Sequence, residues 1–439
     1  MTGLRPSCGR LAHTPKEALR SCGVESVVGG LVPGGLARRT SAAVSMESAP
    51  CRSTGRAAEL AARVVEVDTV RDGLLTLFLC GDVMLGRGID QILPHPGDPT
   101  LREPRMRNAR AYVQFAEALN GPIPRPVDFS WPWGDALDVL EEAAPDVRVV
   151  NLETSITRSD DFAPGKAVHY RMNPRNLPGL AVARPDACVL ANNHVLDFGP
   201  RGLEETLDVL SGAGLQAVGA GRNAIEAERP ASVAVDGGRR VLISSFGMPS
   251  SGIPQTWAAA EDQAGVDLVT EMSDASAAEL AARVRQVKRP GDVAVASIHW
   301  GSNWGNDVSR SQIRFAHRLI DGGVDVVHGH SSHHPRPVEV YRDRLILYGC
   351  GDFIDDYEGI GGREEYRSDL RLVYLASVEP DTGKLVGLRM APLQARQMRL
   401  RHASRADSKW LCAVLNRISR VFGPRIEAAP GGMLALRRP

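Results

Sequence analysis

From Leu74 onward, short apolar runs alternate with amphipathic stretches along the chain. A buried sheet with crossover helices produces this alternation in one dimension. The runs predicted as buried strands are 74–80, 147–150, 187–190, 293–298 and 324–327. Apolar residues at three-to-four spacing predict helices over 134–143, 201–211, 276–287 and 312–320. The chain is therefore predicted to be a mixed α/β (α+β) protein.

Paired apolar runs separated by turn residues predict three β-hairpins. They cover 231–235 with 241–245, 338–341 with 345–348, and 370–378 with 385–393. The last hairpin is expected to complete a second sheet, and 408–422 is predicted to be a final helix with one apolar face. These elements predict one folded domain over 71–425, between a disordered extension over 1–70 and a disordered tail over 426–439.

Composition and charge narrow the functional classes. Of 439 residues, 43% are hydrophobic and 24% are charged, as in globular proteins. Lys plus Arg and Asp plus Glu are both 52, so no net field attracts nucleic acid or an anionic membrane, and anion recognition has to be local. No apolar run is long enough for a transmembrane helix, and seven scattered cysteines without a C-x-x-C pair suit a reducing compartment. We therefore expect a cytoplasmic protein with no integral membrane segment and no nucleic acid partner.

Polar side chains that can bind metal or move protons follow each of the five predicted strands. They are Asp82 after the first, Asn151 and Glu153 after the second, Asn192, Asn193 and His194 after the third, His299 after the fourth, and His328 and His330 after the fifth. A lone Asp after a strand is usually a turn residue, and a lone His is usually structural. Because ligand sites in open α/β sheets lie at the carboxyl ends of strands, five such ends in succession predict one shared crevice.

Histidine is concentrated in one part of the chain, with six of eleven between residues 299 and 334. A strand continuing through Gly329 would put His328 and His330 on one side, whereas a turn there would bring His330 and His333 together; Gly329 favours the turn. Imidazole, carboxylate and carboxamide groups suit Zn, Mn, Fe, Co or Ni, and the absence of Cys from these strand ends argues against a thiolate zinc site. The pattern predicts an open, catalytic metal site.

Six short motifs occur in series between Leu74 and Phe353. They are Gly-Asp-Val-Met-Leu-Gly-Arg at 81–87, Asn-Leu-Glu-Thr at 151–154, Asn-Asn-His at 192–194, His-Trp-Gly at 299–301, Gly-His at 329–330 with His333, and Tyr348 followed by Gly-Asp-Phe at 351–353. In this order they resemble the CapA family of poly-γ-glutamate capsule biosynthesis proteins, within the calcineurin-like metallophosphatase superfamily. The resemblance implies a four-layer α/β/β/α sandwich, in which two sheets lie between helices and metal binds at the strand ends.

The resemblance also implies roles for individual residues. The implied ligands of one or two divalent ions (Mn, Zn or Fe) are Asp82, Glu153, Asn193, His299, His330 and His333. His194 corresponds to the general acid, so His194 and Asp82 are the candidate catalytic residues. Ordinary superfamily members begin with Asp-x-His, whereas Val83 and Met84 follow Asp82 here, as in the CapA family. A single metal is therefore better supported than a pair.

Four further residues are candidates for binding substrate: Arg87, Arg171, Asn151 and Trp304. Arginine can donate two parallel hydrogen bonds to phosphate or carboxylate, so Arg87 and Arg171 can clamp an anion. A surface or structural ion pair is the equally weighted alternative for both. Trp304, close to His299 in sequence, can stack on substrate or exclude solvent.

The segment 352–358 is unusually acidic, and Asp352 stands where the CapA family usually has Asn. Such a segment could bind a cation or repel an anionic polymer. We favour a third interpretation, a solvated loop whose carboxylates pair with Arg363 and Arg367.

Together these features predict a metal-dependent hydrolase of the CapA type. Metal-activated water would cleave a phosphoester or a γ-glutamyl-type amide in a small or polymeric anionic substrate. The alternative is a non-catalytic accessory protein that binds polymer and works with proteins that synthesise a capsule or cell-envelope polymer. Retention of His194 and all six implied ligands favours catalysis, whereas the missing first-motif histidine favours the accessory role.

A chain that begins at Met46 should fold as the full chain does, because residues 1–70 lack the apolar periodicity that a core segment needs. Thermal unfolding followed by circular dichroism should remain cooperative, with the full-length protein as the control. Loss of cooperativity would show that residues 1–45 contribute to the core.

Overall fold

The structure is a computed structural model that describes residues 73–437. The predicted extension over 1–70 lies outside the described residues. The α-helices of the described range are α1 Arg87–Ile92, α2 Arg110–Asn120, α3 Ala136–Ala143, α4 Pro178–Ala181, α5 Gly199–Gly212, α6 Ala224–Glu228, α7 Asp274–Val287, α8 Arg310–Asp321 and α9 Arg405–Ser419. None of them is long and apolar enough to cross a bilayer.

Twenty β-strands occupy the same range. They are β1 Leu75–Val83, β2 Val147–Leu152, β3 Ser155–Ile156, β4 Arg171–Met172, β5 Ala187–Val189, β6 Gln216–Val218, β7 Ala220–Gly221, β8 Ala231–Ala234, β9 Arg240–Gly247, β10 Gly265–Val266, β11 Val293–His299, β12 Val326–His330, β13 Val338–Tyr341, β14 Arg344–Leu347, β15 Asp352–Ile354, β16 Leu370–Glu379, β17 Lys384–Ala395, β18 Leu400–His402, β19 Arg425–Ala428 and β20 Leu434–Arg437.

Two sheets carry the architecture. The first has the order β19-β20-β17-β16-β1-β2-β5-β6, with β15 beside the end of β1 and β18 beside β17. The second has the order β13-β14-β12-β11-β9-β8. In the first sheet β1, β2, β5 and β6 run parallel, and in the second β9, β11, β12 and β14 do so. Each sheet therefore has a parallel centre whose strand ends point the same way.

Side-chain alternation in the central strands sorts the core into three layers. In β1, Leu77 and Leu79 face the second sheet and join Ile243 and Val295 in the core between the sheets. Phe78, between them, faces outward into the core under α3 and α5. On the far side of the second sheet, a third cluster packs β11 and β12 against α7 and α8. The order helix, sheet, sheet, helix confirms the predicted four-layer sandwich.

The strands and helices expected from apolar periodicity are present, with one difference in the histidine-rich segment. β12 continues through Gly329 to His330, so the turn predicted at Gly329 is wrong. The turn comes instead at Ser331, whose φ of 101° lies in the left-handed region. Hydrogen-bonded pairing with β11 through His330 keeps the strand extended past the glycine.

The predicted disordered tail is also wrong within the described residues. β19 and β20 pair as a hairpin on the edge of the first sheet, and Ile426 is buried in the core between the sheets. Asn416 of α9 exchanges two hydrogen bonds with the backbone of Ile426, at 2.8 and 2.7 Å. The period-two apolar signal of these strands is only four residues long, and Gly431 and Gly432 interrupt it, so the sequence pattern does not predict the hairpin.

Gly81 lets two backbone segments meet at the end of β1. A Cβ at this position would lie 1.6 Å from the carbonyl oxygen of Gly351, which itself accepts a hydrogen bond from the Asp82 amide at 3.0 Å. Strand register then sets Asp82 beside both Asn151 and Asp352. The glycine thus fixes the position of the first candidate ligand.

Gly81→Ala should therefore destabilise the fold, by about 3 kcal/mol or more, because the added methyl group meets backbone that cannot rotate away. Urea unfolding would measure the loss. Gly387→Ala is the matched control, since a Cβ there meets no atom within 4 Å. Equal stability of the two variants would contradict the close approach.

Candidate functional site

The carboxyl ends of both sheets converge on one group of buried polar side chains. Asp82, His299 and His330 each offer a ligand atom within 4.8 Å of the others. Asp82 comes from β1 of the first sheet, while His299 and His330 are register partners at the ends of β11 and β12 in the second. All three are buried. The crevice predicted from the strand ends is therefore present, and it lies between the two sheets.

A chain of hydrogen bonds sets the orientation and tautomer of His330. The carbonyl oxygen of Cys80 can only accept, so His328 Nε2, at 2.7 Å, carries the proton. The other nitrogen of His328 then accepts from the Ser297 hydroxyl at 3.0 Å, and the same hydroxyl accepts from His330 Nε2 at 3.0 Å. His330 is thereby left with an unprotonated Nδ1 that faces the site.

His299 meets this nitrogen directly. Its Nδ1 lies 2.8 Å from Nδ1 of His330, and its Nε2 lies 3.0 Å from Oδ1 of Asn193. Burial lowers the pKa of both imidazoles well below the usual value, so both are neutral. When Nε2 of His299 donates to Asn193, two nitrogen lone pairs face each other, which is unfavourable unless a cation lies between them.

A second group shares Asp82. Atoms of Asp82, His333 and Asp352 also lie within 4.8 Å of one another, and Nδ1 of His333 is 2.8 Å from Oδ1 of Asp352. Burial, the largest single effect, lowers the pKa of His333, but the charge and hydrogen bond of Asp352 together with the charges of Asp82 and Asp355 outweigh burial and leave the pKa raised. Asp352 is thus part of the site, whereas the interpretation favoured from the sequence placed it in a solvated loop.

Three buried carboxylates in this group have oxygens without hydrogen-bond partners among the described residues. They are Oδ2 of Asp82, Oε2 of Glu153 and Oδ2 of Asp352. Burial and the charge of Asp352 raise the pKa of Asp82 to about 7, and burial and the charge of Asp82 raise that of Glu153. Unsatisfied buried carboxylates are costly unless a proton or cation neutralises them. Together with the neutral imidazoles, this donor set fits a borderline divalent ion.

His194 lies at the edge of the group in a dyad with Asp197. Its Nδ1 is 2.6 Å from Oδ2 of Asp197, and its Nε2 is 3.7 Å from Oε1 of Glu153. Burial, opposed by the charge of Asp197, lowers the pKa of His194 to about 4. Asp197 therefore holds the Nδ1 proton and leaves Nε2 directed toward the carboxylate cluster.

Lys166 completes this arrangement from a neighbouring loop. Its ammonium lies 2.5 Å from Oδ1 of Asp197, the oxygen that His194 does not contact. It also donates to the carbonyl of Asn193 and is 3.2 Å from Nδ1 of His194. Burial would raise the pKa of Asp197, but His194 and Lys166 lower it, so the carboxylate stays charged. Lys166 and Asp197 were not predicted from the sequence; the short spacing of Asp197 from His194 was the available signal.

The group opens onto a cleft of about 280 Å³. Its lining includes Glu153, Lys166, His194, His299, His333 and Tyr357. This volume admits a single small group of a substrate. The lining combines one ammonium with carboxylate and imidazole groups, so the cleft suits an anionic group next to a bond that needs proton transfer.

The structure brings the six implied ligands and His194 together, but it separates the candidate substrate residues from the cleft. Asn151 is buried and donates to Oδ1 of Asp82 at 2.7 Å, so it orients a candidate ligand. Arg171 pairs with Asp160 at 2.6 Å and does not line the cleft. Trp304 stacks on His334, and its ring centroid is 5.3 Å from that of His333, beside the site.

Arg87 is a structural residue, so its assignment as a substrate clamp is wrong. The residue is 3% exposed, and its guanidinium donates to Asp356 and Glu103 and lies 3.6 Å from the ring centroid of Tyr112. Every nitrogen of the fork is engaged with the protein. The structural ion pair named as the alternative is the observed one.

The acidic segment 352–358 is not the solvated loop that was expected. Asp352, Asp355 and Asp356 are buried. Asp355 pairs with buried Arg371, and Asp356 pairs with Arg87. Arg363 and Arg367, the expected partners, lie over Trp304 and against Asp369. The acidic run is therefore internal and is divided between ion pairs and the candidate site.

Arg87→Leu should cost about 3–5 kcal/mol of unfolding free energy, because it leaves Asp356 and Glu103 buried without their partner. Guanidinium unfolding would measure the loss. Arg110→Leu, at an exposed position on α2, is the control and should change stability little. An Arg87 variant of unchanged stability would restore the substrate-clamp assignment.

Comparisons with known proteins identify the family of the chain. The family model described as bacterial capsule synthesis protein PGA_cap matches residues 76–357. A probable polyglutamine synthesis accessory protein of Mycobacterium tuberculosis (strain H37Rv) is 54% identical over 362 residues, which cover 82% of this chain and 95% of that protein. The PGA biosynthesis protein CapA of Bacillus subtilis is 26% identical over 297 residues, 67% of each chain. Among solved structures, TT1561 of Thermus thermophilus aligns with 58% of this chain and 93% of its own, at 10% identity and a TM-score of 0.31.

Proposed function

Because the chain belongs to the bacterial capsule synthesis protein family PGA_cap, we propose that it is a metal-dependent hydrolase related to capsule and poly-glutamate synthesis. Its substrate is an anionic molecule, small or polymeric, and the bond cleaved is a γ-glutamyl-type amide or a phosphoester. The names of the relatives support the link to polymer synthesis. The hydrolytic chemistry rests on the site.

One observation carries the proposal: within residues 73–437, three neighbouring buried carboxylates keep oxygens without hydrogen-bond partners, and two neutral imidazole nitrogens meet beside one of them, Asp82. Such a group stabilises nothing by itself, since each desolvated oxygen costs free energy. Proteins retain costly polar clusters mainly at functional sites. A cation-binding role accounts for this group. The adjacent His194–Asp197 dyad can transfer a proton, which a hydrolysis reaction at the cation requires.

The donor set divides into two overlapping positions. The residues that would hold a first ion are Asp82, His299 and His330, with Glu153 and Asn193 beside them, and those for a second are Asp82, His333 and Asp352. Mn, Zn or Fe bound there would supply Lewis acidity for the substrate and acidify a water molecule. One or two ions fit the donor set, since Asp82 belongs to both positions.

His194 moves the proton. Asp197 accepts from its Nδ1, which fixes the ring and leaves Nε2 toward the cleft. Since burial keeps the imidazole neutral, Nε2 first takes a proton from the attacking water and then gives it to the leaving group. Lys166 keeps Asp197 charged, so that Asp197 stabilises the imidazolium formed between these steps.

A second candidate function is non-catalytic. The mycobacterial relative, 54% identical, is named as an accessory protein of polyglutamine synthesis. In that role the cleft would hold a segment of polymer and present it to synthesis proteins. The same metal site would then serve binding and not turnover.

His299→Ala combined with His330→Ala should abolish metal binding at the first position and so lower the metal content by at least one ion per chain, because both imidazoles of that position are lost. Elemental analysis after reconstitution with Mn, Zn and Fe salts would measure the metal, and thermal unfolding with and without each salt gives a second readout. His95→Ala with His402→Ala, which removes two imidazoles elsewhere, is the matched control. A wild type that stays metal-free and unstabilised by every salt would refute the site.

His194→Gln should retain fold and metal but lose about 10²- to 10⁴-fold in kcat, because the variant cannot transfer the proton. The loss should be smaller with a nitrophenyl ester, whose leaving group needs little protonation. A panel of phosphoesters and γ-glutamyl amides would supply the substrates. If the metal-loaded wild type hydrolyses none of them, and His194→Gln supports polymer production in cells as well as wild type does, the accessory function is correct.

A further inference from the structure

The formal charge of the chain is balanced overall but segregated within the fold. Between Lys384 and Arg437, the segment that forms β17 to β20 and α9, there are eleven Lys or Arg and two Asp or Glu. Over the whole chain, basic and acidic residues are both 52. The C-terminal segment therefore produces a local positive field on a protein without net charge.

Much of this charge lies on one surface, which we call the basic face. It comprises Arg405, Lys409, Arg417, Arg420 and Arg425, all exposed. At about 100° per residue, the first four fall within roughly a third of the circumference of α9 and of the 3₁₀ turn that follows it from Arg420. Leu411 and Leu415, on the other side of the helix, are buried in the core between the sheets. The apolar side anchors α9 and leaves its basic side to solvent.

The basic face borders a concave region where α9 meets β19 and β20. This cavity, of about 750 Å³, is lined by Arg417, Arg420, Arg425 and Arg437, and Glu427 is the only acidic residue among the described residues that line it. Within residues 73–437, Arg417, Arg420 and Arg425 take part in no ion pair, and Arg437 is 3.8 Å from Glu427. The guanidinium groups around this cavity are thus largely uncompensated.

Strand pairing places two of these positive charges opposite each other. Arg425 lies directly opposite Arg437 in the β19–β20 ladder. Like charges at opposed positions destabilise a strand pair. An anion bound in the cavity would attract both guanidinium groups and make their proximity favourable. Without an anion, this proximity does not stabilise the fold.

We propose that the basic face binds a polycarboxylate chain. Four of its five residues are Arg, whose planar fork donates two parallel hydrogen bonds to a carboxylate. A concave surface accommodates a chain, whereas a bilayer presents a flat one. Single-stranded nucleic acid would stack its bases on exposed aromatic residues, but the neighbouring Trp410 and Phe422 pack inward.

This inference rests on the proposed function, because a polymeric γ-glutamyl substrate is the polycarboxylate in question. It adds a place where the polymer is held, separate from the cleft that would act on one linkage. Retention on the basic face would raise the local concentration of linkages near the cleft. Binding to the face needs neither metal nor turnover.

Fluorescence anisotropy with labelled poly-γ-glutamate tests the proposal on the full chain. Replacing Arg417, Arg420 and Arg425 by Gln should weaken binding about tenfold or more and make it less sensitive to salt, since three charge contacts are lost. The matched control replaces Arg201, Arg229 and Arg289 by Gln, because these are exposed arginines with no ion pair within residues 73–437. The control should bind as wild type does.

Equal weakening of both triple variants would overturn the proposal, since only overall charge would then matter. It would also be overturned if phosphatidylglycerol vesicles or duplex DNA bind more tightly than poly-γ-glutamate through the same arginines. The His299→Ala/His330→Ala protein should bind the polymer like wild type, and hydrolysis of a short γ-glutamyl peptide should be unchanged in the Arg417/Arg420/Arg425 variant. Failure of the hydrolase function and failure of the basic face therefore give different results.

Discussion

Desolvated negative charge at the end of β1 is the constraint on which the rest of the structure depends. Asp82, Glu153 and Asp352 are buried together, and their mutual repulsion and lost hydration oppose folding. The surrounding structure reduces this cost with few contacts: Asn151 donates to Asp82, and His333 donates to Asp352. A divalent ion is the simplest partner that would neutralise these carboxylates. The proposed ion would also bind the neighbouring imidazoles and lie beside the His194–Asp197 dyad.

The residues that support the site come from less obvious positions than those that form it. Cys80 contributes only a backbone carbonyl, yet that oxygen determines the proton positions in His328, Ser297 and His330 in turn. Asp197 and Lys166 do the same for His194. These relays explain why a histidine such as His328, which cannot reach the cleft, lies next to the candidate ligands.

Periodicity and strand-end chemistry were enough to predict a mixed α/β fold with one polar crevice, because both follow from local sequence and parallel strand direction. The four-layer arrangement and the set of six ligands came from the resemblance to the CapA family. What could not be predicted depended on contacts between distant segments. Arg87 resembles an anion clamp in sequence, and only the fold brings Asp356 to it, 269 residues away. Asp352 was placed in a solvated loop for the same reason, since its burial follows from the pairing of β15 with β1. The β19–β20 hairpin was missed because two short strands interrupted by glycines carry little periodic signal.

The ligand set is split between the two sheets, and this has a consequence for the order of folding. Asp82 lies in the first sheet and Glu153 directly follows its strand β2, whereas His299 and His330 lie in the second sheet. Neither sheet alone contains a complete site, and 248 positions of sequence separate the Cys80 carbonyl from the His328 side chain that it orients. Closing a loop of that length is a late, entropically costly event. The site can therefore assemble only after the two sheets have docked, so a nascent or half-folded chain lacks the native donor geometry. Competence to bind the proposed ion would then mark completion of the whole sandwich.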